Sequence, residues 1–195
     1  MTSSLVGSEM CIRDSPDCVA VNVAQRHLAV SGSFEIPSCY QEYKEAFILE
    51  DFFTFWAKHM HVCTGSVLIR KEVINTIGGQ RKDLRITEDL EFWAMVSTYG
   101  QWGFIPEILF VSDGGDVTRS QGWLNKMMIR WSNAPSIADW EKRIVTRLPN
   151  ELPAGYLKAR GRISRNLTYC QLLSGRLTLS LSLIHISEPT RLDVI

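Results

Sequence analysis

The order C-T-G-S-V-L-I-R-K-E-V-I (residues 63–74), I-G-G (77–79), T-E-D-L-E-F-W (87–93) and Y-G-Q-W-G-F-I-P-E-I-L-F-V (99–111) decides the fold. Ser66 to Arg70 is apolar and β-branched enough for a buried strand. Lys71 to Ile77 reads as a short helix, with apolar residues at Val73, Ile74 and Ile77. Gly78 and Gly79 stop it. A second strand runs through Ile108 to Val111, after a further glycine. Strand, helix, glycine hinge, helix and strand thus follow one another within this stretch.

Thr87 reads as a helix N-cap, which puts Glu88 and Asp89 in the first turn. There the unpaired backbone N–H groups and the helix dipole favour negative charge. Leu90, Trp93, Ala94 and Ser97 follow at i, i+3, i+4 and i+7, one buried face that anchors the helix. A carboxylate at such a helix mouth is expected to stay ionised at neutral pH. It can take a proton from a hydroxyl brought within hydrogen-bond reach. An isolated acidic pair would do no more than complement the dipole.

The surrounding pattern resembles the family 2 glycosyltransferases. In that family a strand ending in basic residues, a G-G-F-like loop and an E-D pair occur in this order. Here Ser66 to Arg70, Gly78-Gly79 and Glu88-Asp89 match, with Gln80 where the family usually has an aromatic. The resemblance covers roughly residues 16–175 and is most specific over 63–111. It implies an α/β fold: a partial Rossmann-like (GT-A) nucleotide-sugar transferase domain over residues 16–120, followed by a C-terminal helical segment over 121–180. Asp89 inherits the role of general base toward the acceptor hydroxyl, with Glu88 beside it and Gly78 and Gly79 on the substrate side. The implied partners are a nucleotide-sugar donor and a glycan or lipid-linked acceptor.

The same family holds a divalent metal, Mg2+ or Mn2+, through a D-x-D motif at a strand end, because hard cations take oxygen ligands. No D-x-D occurs in this sequence. In relatives that motif precedes a P-D turn and a strand, which Pro16-Asp17 and Cys18 to Val23 resemble. The metal motif is therefore expected ahead of residue 16, and the chain by itself is expected to be inactive. After the second strand, relatives carry a metal-binding histidine in the loop that is here residues 112–120. Asp113 or Asp116 would have to substitute for it, and Arg119 is suited to reach phosphate. Arg130-Trp131 stands where processive polysaccharide synthases carry Q-x-x-R-W, with Met127 at the glutamine position. That makes Trp131 a candidate substrate contact.

The ends read differently. Residues 4–15, S-L-V-G-S-E-M-C-I-R-D-S, can be back-translated into a DNA string. Its reverse complement, read one base in, gives L-S-L-I-H-I-S-E-P-T-R-L, which is residues 181–192. The element resembles a transposase-based sequencing adapter, so residues 1–15 and 181–195 are expected to be adapter-derived tails that make few contacts with the rest. The remaining stretch, about 165 residues, is enough to bury a core but short for a complete transferase domain.

The 195 residues carry net charge 0 and 45% hydrophobic content, which gives no basic excess to suggest nucleic acid. No apolar run approaches the roughly 20 residues that span a bilayer. Cys18, Cys39, Cys63 and Cys170 show neither metal nor disulfide spacing, so a cytoplasmic setting is expected. Asn166-Leu167-Thr168 matches a glycosylation sequon with nothing else pointing to secretion.

Elsewhere, residues 42–58 read as one helix rich in aromatics, with Glu50-Asp51 on a solvated face in its middle. His59 and His61 read as half-buried, at strand spacing that points both to one side. Residues 121–140 and 139–148 read as helices, Pro149 to Pro153 as a break, and 154–174 as a last helix. Its Lys158, Arg160, Arg162 and Arg165 form a basic face that could meet an anionic membrane peripherally, although a solvated surface is the plainer reading. Two other functions remain open beside the transferase: a non-catalytic carbohydrate-binding or interaction module, which the aromatic stripes permit, and a chimeric reading frame with no function.

Overall fold

The computed structural model describes residues 15–28, 34–35, 42–113 and 121–176. The two adapter-like tails lie outside the described residues except for Ser15, and so does the 114–120 loop with Asp116 and Arg119. Ser15 contributes its carbonyl, which accepts from Cys18 N (2.9 Å) and from Arg70 Nη2 (3.2 Å). Those are main-chain contacts that any residue at that position would offer.

The chain is α/β, built on a five-stranded mixed sheet. Its strands are β1 (Cys18–Leu28), β2 (Phe34–Glu35), β3 (Phe47–Ile48), β4 (Val67–Ile69) and β5 (Gln101–Asp113). The order is β2-β1-β5-β3, and β4 joins β1 on the edge that β2 also uses. β1 and β5 are parallel, from Cys18↔Gln101 to Leu28↔Asp113. The pairs β1–β4, β1–β2 and β3–β5 are antiparallel.

Around the sheet lie α1 (Phe52–His59), α2 (Lys71–Ile77), α3 (Glu88–Val96), α4 (Gln121–Trp131), α5 (Ile137–Glu141) and α6 (Ala154–Leu173). Ala20, Ala24, Trp102 and Phe104 join the main core with Trp56, Phe92, Trp140 and Ile163. Val21, Val23 and Ile105 form a smaller cluster under Leu68 and Phe110, consistent with the two-residue alternation of a strand. Asn22 is fully buried between these layers. Its amide donates to Val23 O (3.2 Å) and His61 O (3.0 Å), and its Oδ1 accepts from Trp102 Nε1 (2.9 Å). No helix among the described residues is long and apolar enough to cross a membrane.

Several expected elements are corrected. The aromatic stretch 42–58 is not one helix: Phe47–Ile48 pairs with Phe104 and Gly103 of β5, and the helix begins only at Phe52. Asp51 is the cap of that helix and not a mid-helix surface residue. Its carboxylate accepts from Phe53 N and Thr54 N, both at 3.1 Å. β5 is far longer than Ile108 to Val111. Pro106 is accommodated because the ladder skips from Val23↔Ile105 to Ala24↔Ile108, a bulge that spares it a missing N–H. The 121–140 helix breaks after Trp131, where the chain turns through Pro135 before Ser136 caps α5. The 139–148 helix shrinks to the end of α5 and a short 3-10 turn at Val145–Arg147. β4 is half-buried rather than buried, since it covers β1 on one side only.

His61 is fully buried, not half-buried, and Met60 in the left-handed region turns the chain between the two histidines. Phe55 packs against both rings, at centroid distances of 4.5 Å to His59 and 4.7 Å to His61. Burial, then the neighbouring His59, drives the pKa of His61 well below the usual imidazole range.

The last helix, α6, runs Ala154–Leu173 almost as expected. It packs on α1, with Tyr156 edge-on to Phe53 at 5.1 Å. Gly155 permits this approach: a Cβ there would collide with the Asp51 carboxylate and the Thr54 hydroxyl, and would stand 2.8 Å from Thr54 N. The basic face is divided. Arg160 turns inward to Glu141 (2.6 and 2.9 Å) and Arg162 donates to Ala57 O (2.8 Å), while Lys158 and Arg165 are exposed.

Candidate functional site

The site grows from the start of α3. Glycines at 78 and 79, with φ of 78° and 76°, end α2 in a conformation that side chains disfavour and turn the chain toward residues 80–87. Arg143 secures this turn, donating to Ile77 O (3.3 Å) and Gly79 O (3.5 Å) while clamping Glu91 through two oxygens (2.8 and 2.7 Å). Glu91 is fully buried, one turn along α3 from the acidic pair. The clamp therefore fixes the glycine turn and α3 relative to one another.

Thr87 occupies the N-cap position but does not cap. Its backbone is left-handed (φ 60°, ψ 18°), and its hydroxyl donates back to Ile86 O (2.6 Å). A β-branched residue is strained in this region. The Thr87 carbonyl holds it there, accepting from Glu91 N (3.0 Å) and from the buried Trp140 Nε1 (3.2 Å). The expected side-chain cap is thus absent, and the acidic pair begins a helix whose entry is set by tertiary contacts.

Asp89 Oδ1 accepts from Leu90 N (2.9 Å). Burial pushes its carboxyl above the ordinary value, the Leu90 N–H pulls it down, Glu88 pushes it up, and Arg130 pulls it down. Burial thus works against the stabilisation expected at a helix mouth. Glu88 Oε1 accepts from Arg130 Nη2 (2.9 Å), and its Oε2 is buried without a hydrogen-bond partner among the described residues. Arg130 also donates through Nε to Arg85 O (2.8 Å).

These residues line an open cleft of about 640 Å³. Thr64, Gln80, Ile86 to Leu90, Met127, Arg130, Trp131, Asn166 and Cys170 form its wall. The cleft brings together what the sequence singled out separately: the Glu88-Asp89 pair and the Met127…Arg130-Trp131 set. Gln80 lines it, whereas Gly78 and Gly79 act one step back, as the turn that delivers Gln80. Asn166 and Cys170 stand one turn apart on α6 and carried no signal as cleft residues. The Asn166 sequon is a helical segment whose Leu167 and Thr168 are buried, with the Thr168 hydroxyl donating to Ser164 O (2.9 Å).

The metal expectation finds no support in the described side chains. No group of three or more His, Cys, Asp or Glu that could hold a metal ion occurs among the described residues, and Glu88 is engaged by Arg130. Asp113 ends β5 with its side chain outside the described atoms, and Asp116 and Arg119 lie outside the described residues. The cysteines among the described residues are Cys18, Cys63 and Cys170. Burial raises the Cys63 and Cys170 thiols.

Compared with protein-family models, curated proteins and solved structures, the chain matches none.

Proposed function

We propose that this chain carries the acceptor side of an inverting, family 2-like glycosyltransferase of Rossmann-like (GT-A) architecture. The observation that carries the reading is the convergence of Glu88-Asp89 with Arg130-Trp131, some forty residues later in the chain, on one cleft. Two motifs with no reason to meet in a generic α/β domain share a wall.

Asp89 suits a general base. It is partly buried, and its carboxyl is raised toward the range in which proton transfer from a hydroxyl is effective. In the reaction, Asp89 takes the proton of an acceptor hydroxyl as that oxygen attacks the anomeric carbon of a nucleotide-activated sugar. The nucleoside diphosphate leaves from the opposite face, and the configuration inverts. Trp131 offers an apolar ring surface for the C–H face of the acceptor sugar. Arg119 and the donor-side metal belong to the resemblance alone. The acceptor we propose for the open cleft is a glycan or a lipid-linked sugar. Peripheral contact with a membrane would fall to exposed Lys158 and Arg165, and the setting we assign is cytoplasmic.

The test is turnover in an enzyme that contains this segment together with a metal-binding D-x-D. Asp89→Asn should keep donor binding and lose about 100-fold to 10,000-fold in rate, the usual worth of a general base. Glu88→Gln should do less harm. Turnover of Asp89→Asn within a few-fold of the parent would refute the role.

A further inference from the structure

Arg130 sits at the end of α4 and reaches across to the segment that leads into α3. It makes two bonds there, Nε to the Arg85 carbonyl and Nη2 to Glu88 Oε1. The side chains of this ion pair are 46% and 28% exposed, so solvent screens it and its share of stability is small. What the fork geometry supplies instead is orientation: two donors on one rigid plane fix where Glu88 points relative to the backbone at residue 85. Among the described residues Glu88 has no other hydrogen bond to hold its rotamer, its second oxygen being buried without a partner there.

We infer that Arg130 is the positioning residue of the cleft: by tying Glu88 to the Arg85 carbonyl it takes one of two adjacent carboxylates out of play and leaves Asp89 to receive the proton. The inference rests on the acceptor-side reading for its purpose, though not for its test. Two ionised carboxylates side by side disfavour each other's charge, and each would compete for the same hydroxyl. A guanidinium bound to Glu88 removes both problems. Among the described residues, the groups that face Asp89 or share its cleft are Glu88 on its own helix, Arg130 from α4, the Cys63 thiol ahead of β4, and the Cys170 thiol from α6. Burial raises both thiols, which leaves Arg130 and Glu88 as the charges that set Asp89.

The experiment is a carbon-detected NMR titration of the Asp89 carboxyl in the chain as it stands, with Asp89→Asn to assign the resonance. Arg130→Met removes the cation and keeps the bulk, so the Asp89 midpoint should move upward. Arg130→Lys, which keeps the charge but lacks the rigid planar fork, should fall between Met and the parent. Glu88→Gln should lower the midpoint and should shrink, without abolishing, the effect of a second Arg130→Met change, since Arg130 acts on Asp89 both through Glu88 and directly across space. A merely structural role for Arg130 would lower the melting temperature and leave the midpoint in place. An unmoved midpoint in Arg130→Met overturns the proposal, and so does a full-sized shift of the same variant in the Glu88→Gln background. If Arg130→Met does not fold, Arg130→Gln, which also removes the cation but keeps a donor for the Arg85 carbonyl, supplies the same measurement, and an unmoved midpoint there counts against the proposal. No transfer step enters the titration, so coupled titration alongside an active Asp89→Asn enzyme would remove the transferase reading alone.

Discussion

Two Glu-Asp pairs stand at helix starts in this chain, and they do opposite things. At Glu50-Asp51 the aspartate is the cap: its two oxygens take the N–H groups of Phe53 and Thr54 and the Thr54 hydroxyl, and its role is complete within one turn. At Glu88-Asp89 the helix starts from a strained Thr87 with no side-chain cap. Asp89 accepts one N–H, Glu88 is held by Arg130, and both face a cleft. The lesson is that an acidic pair at a helix mouth is structural when its oxygens are used by its own first turn. It becomes available for chemistry when the start is held by something else.

The contrast can be broken at its strongest point by activity. In an enzyme with its donor side present, Asp89→Asn should abolish most turnover, whereas Asp51→Asn, still able to cap, should leave turnover near the parent. Comparable losses at both sites would erase the distinction. Next in size is the buried residue that fixes α3. Glu91→Ala strands Arg143 beside a fully buried void and should cost about 3–5 kcal/mol in denaturant unfolding. Glu88→Ala, cutting a half-exposed pair, should cost under about 1 kcal/mol. Asp51→Ala then tests the cap itself and should lose about 1 kcal/mol, while Asp89→Asn at neutral pH should cost nothing or gain slightly. A destabilised Asp89→Asn would make Asp89 a structural residue after all.

The smallest effect is a difference in pH slope. The Asp89 carboxyl is raised in the folded state, so the unfolded chain gives up its proton first. Its contribution is present at acid pH and is lost as pH climbs from the ordinary 3.8 through the raised value. Asp83, held to about 2 by Arg81, has the opposite sign: its contribution is present above 3.8 and is lost as pH falls toward 2. Melting curves between pH 2 and pH 6 should therefore change slope in opposite senses for Asp89→Asn and Asp83→Asn. Parallel curves would contradict both assignments.

How much of this was legible depended on whether the deciding interaction was local. Gly78 ended α2 and Pro153 opened α6 where expected, since backbone conformation alone settles those positions. The start of α3 was legible in place but not in cause, because Thr87 is held by Trp140, more than fifty residues away. The aromatic run 42–58 misled because rings at helical spacing also suit a strand followed by a capped helix. The pairing of Phe47 with Phe104 decides between them, and it is non-local. Within the cleft, Glu88, Asp89, Arg130 and Trp131 could be named from short motifs. Asn166 and Cys170 could not, since only the packing of α6 brings them there.

The parallel pairing of β1 with β5 also has a consequence for the order of events on a ribosome. Trp102 closes on Asn22 across 80 residues, and β1 has no parallel partner until that loop is made. A nascent chain that has emerged only through α2 holds an apolar strand paired on one edge by β2 and β4 and still open on the edge that β5 takes. Loop closure over such a span is slow to nucleate, so the sheet should form late and in one step with the arrival of β5. Pulsed hydrogen exchange on stalled chains should find the β1 amides unprotected at residue 96 and protected once residue 113 has cleared the exit tunnel.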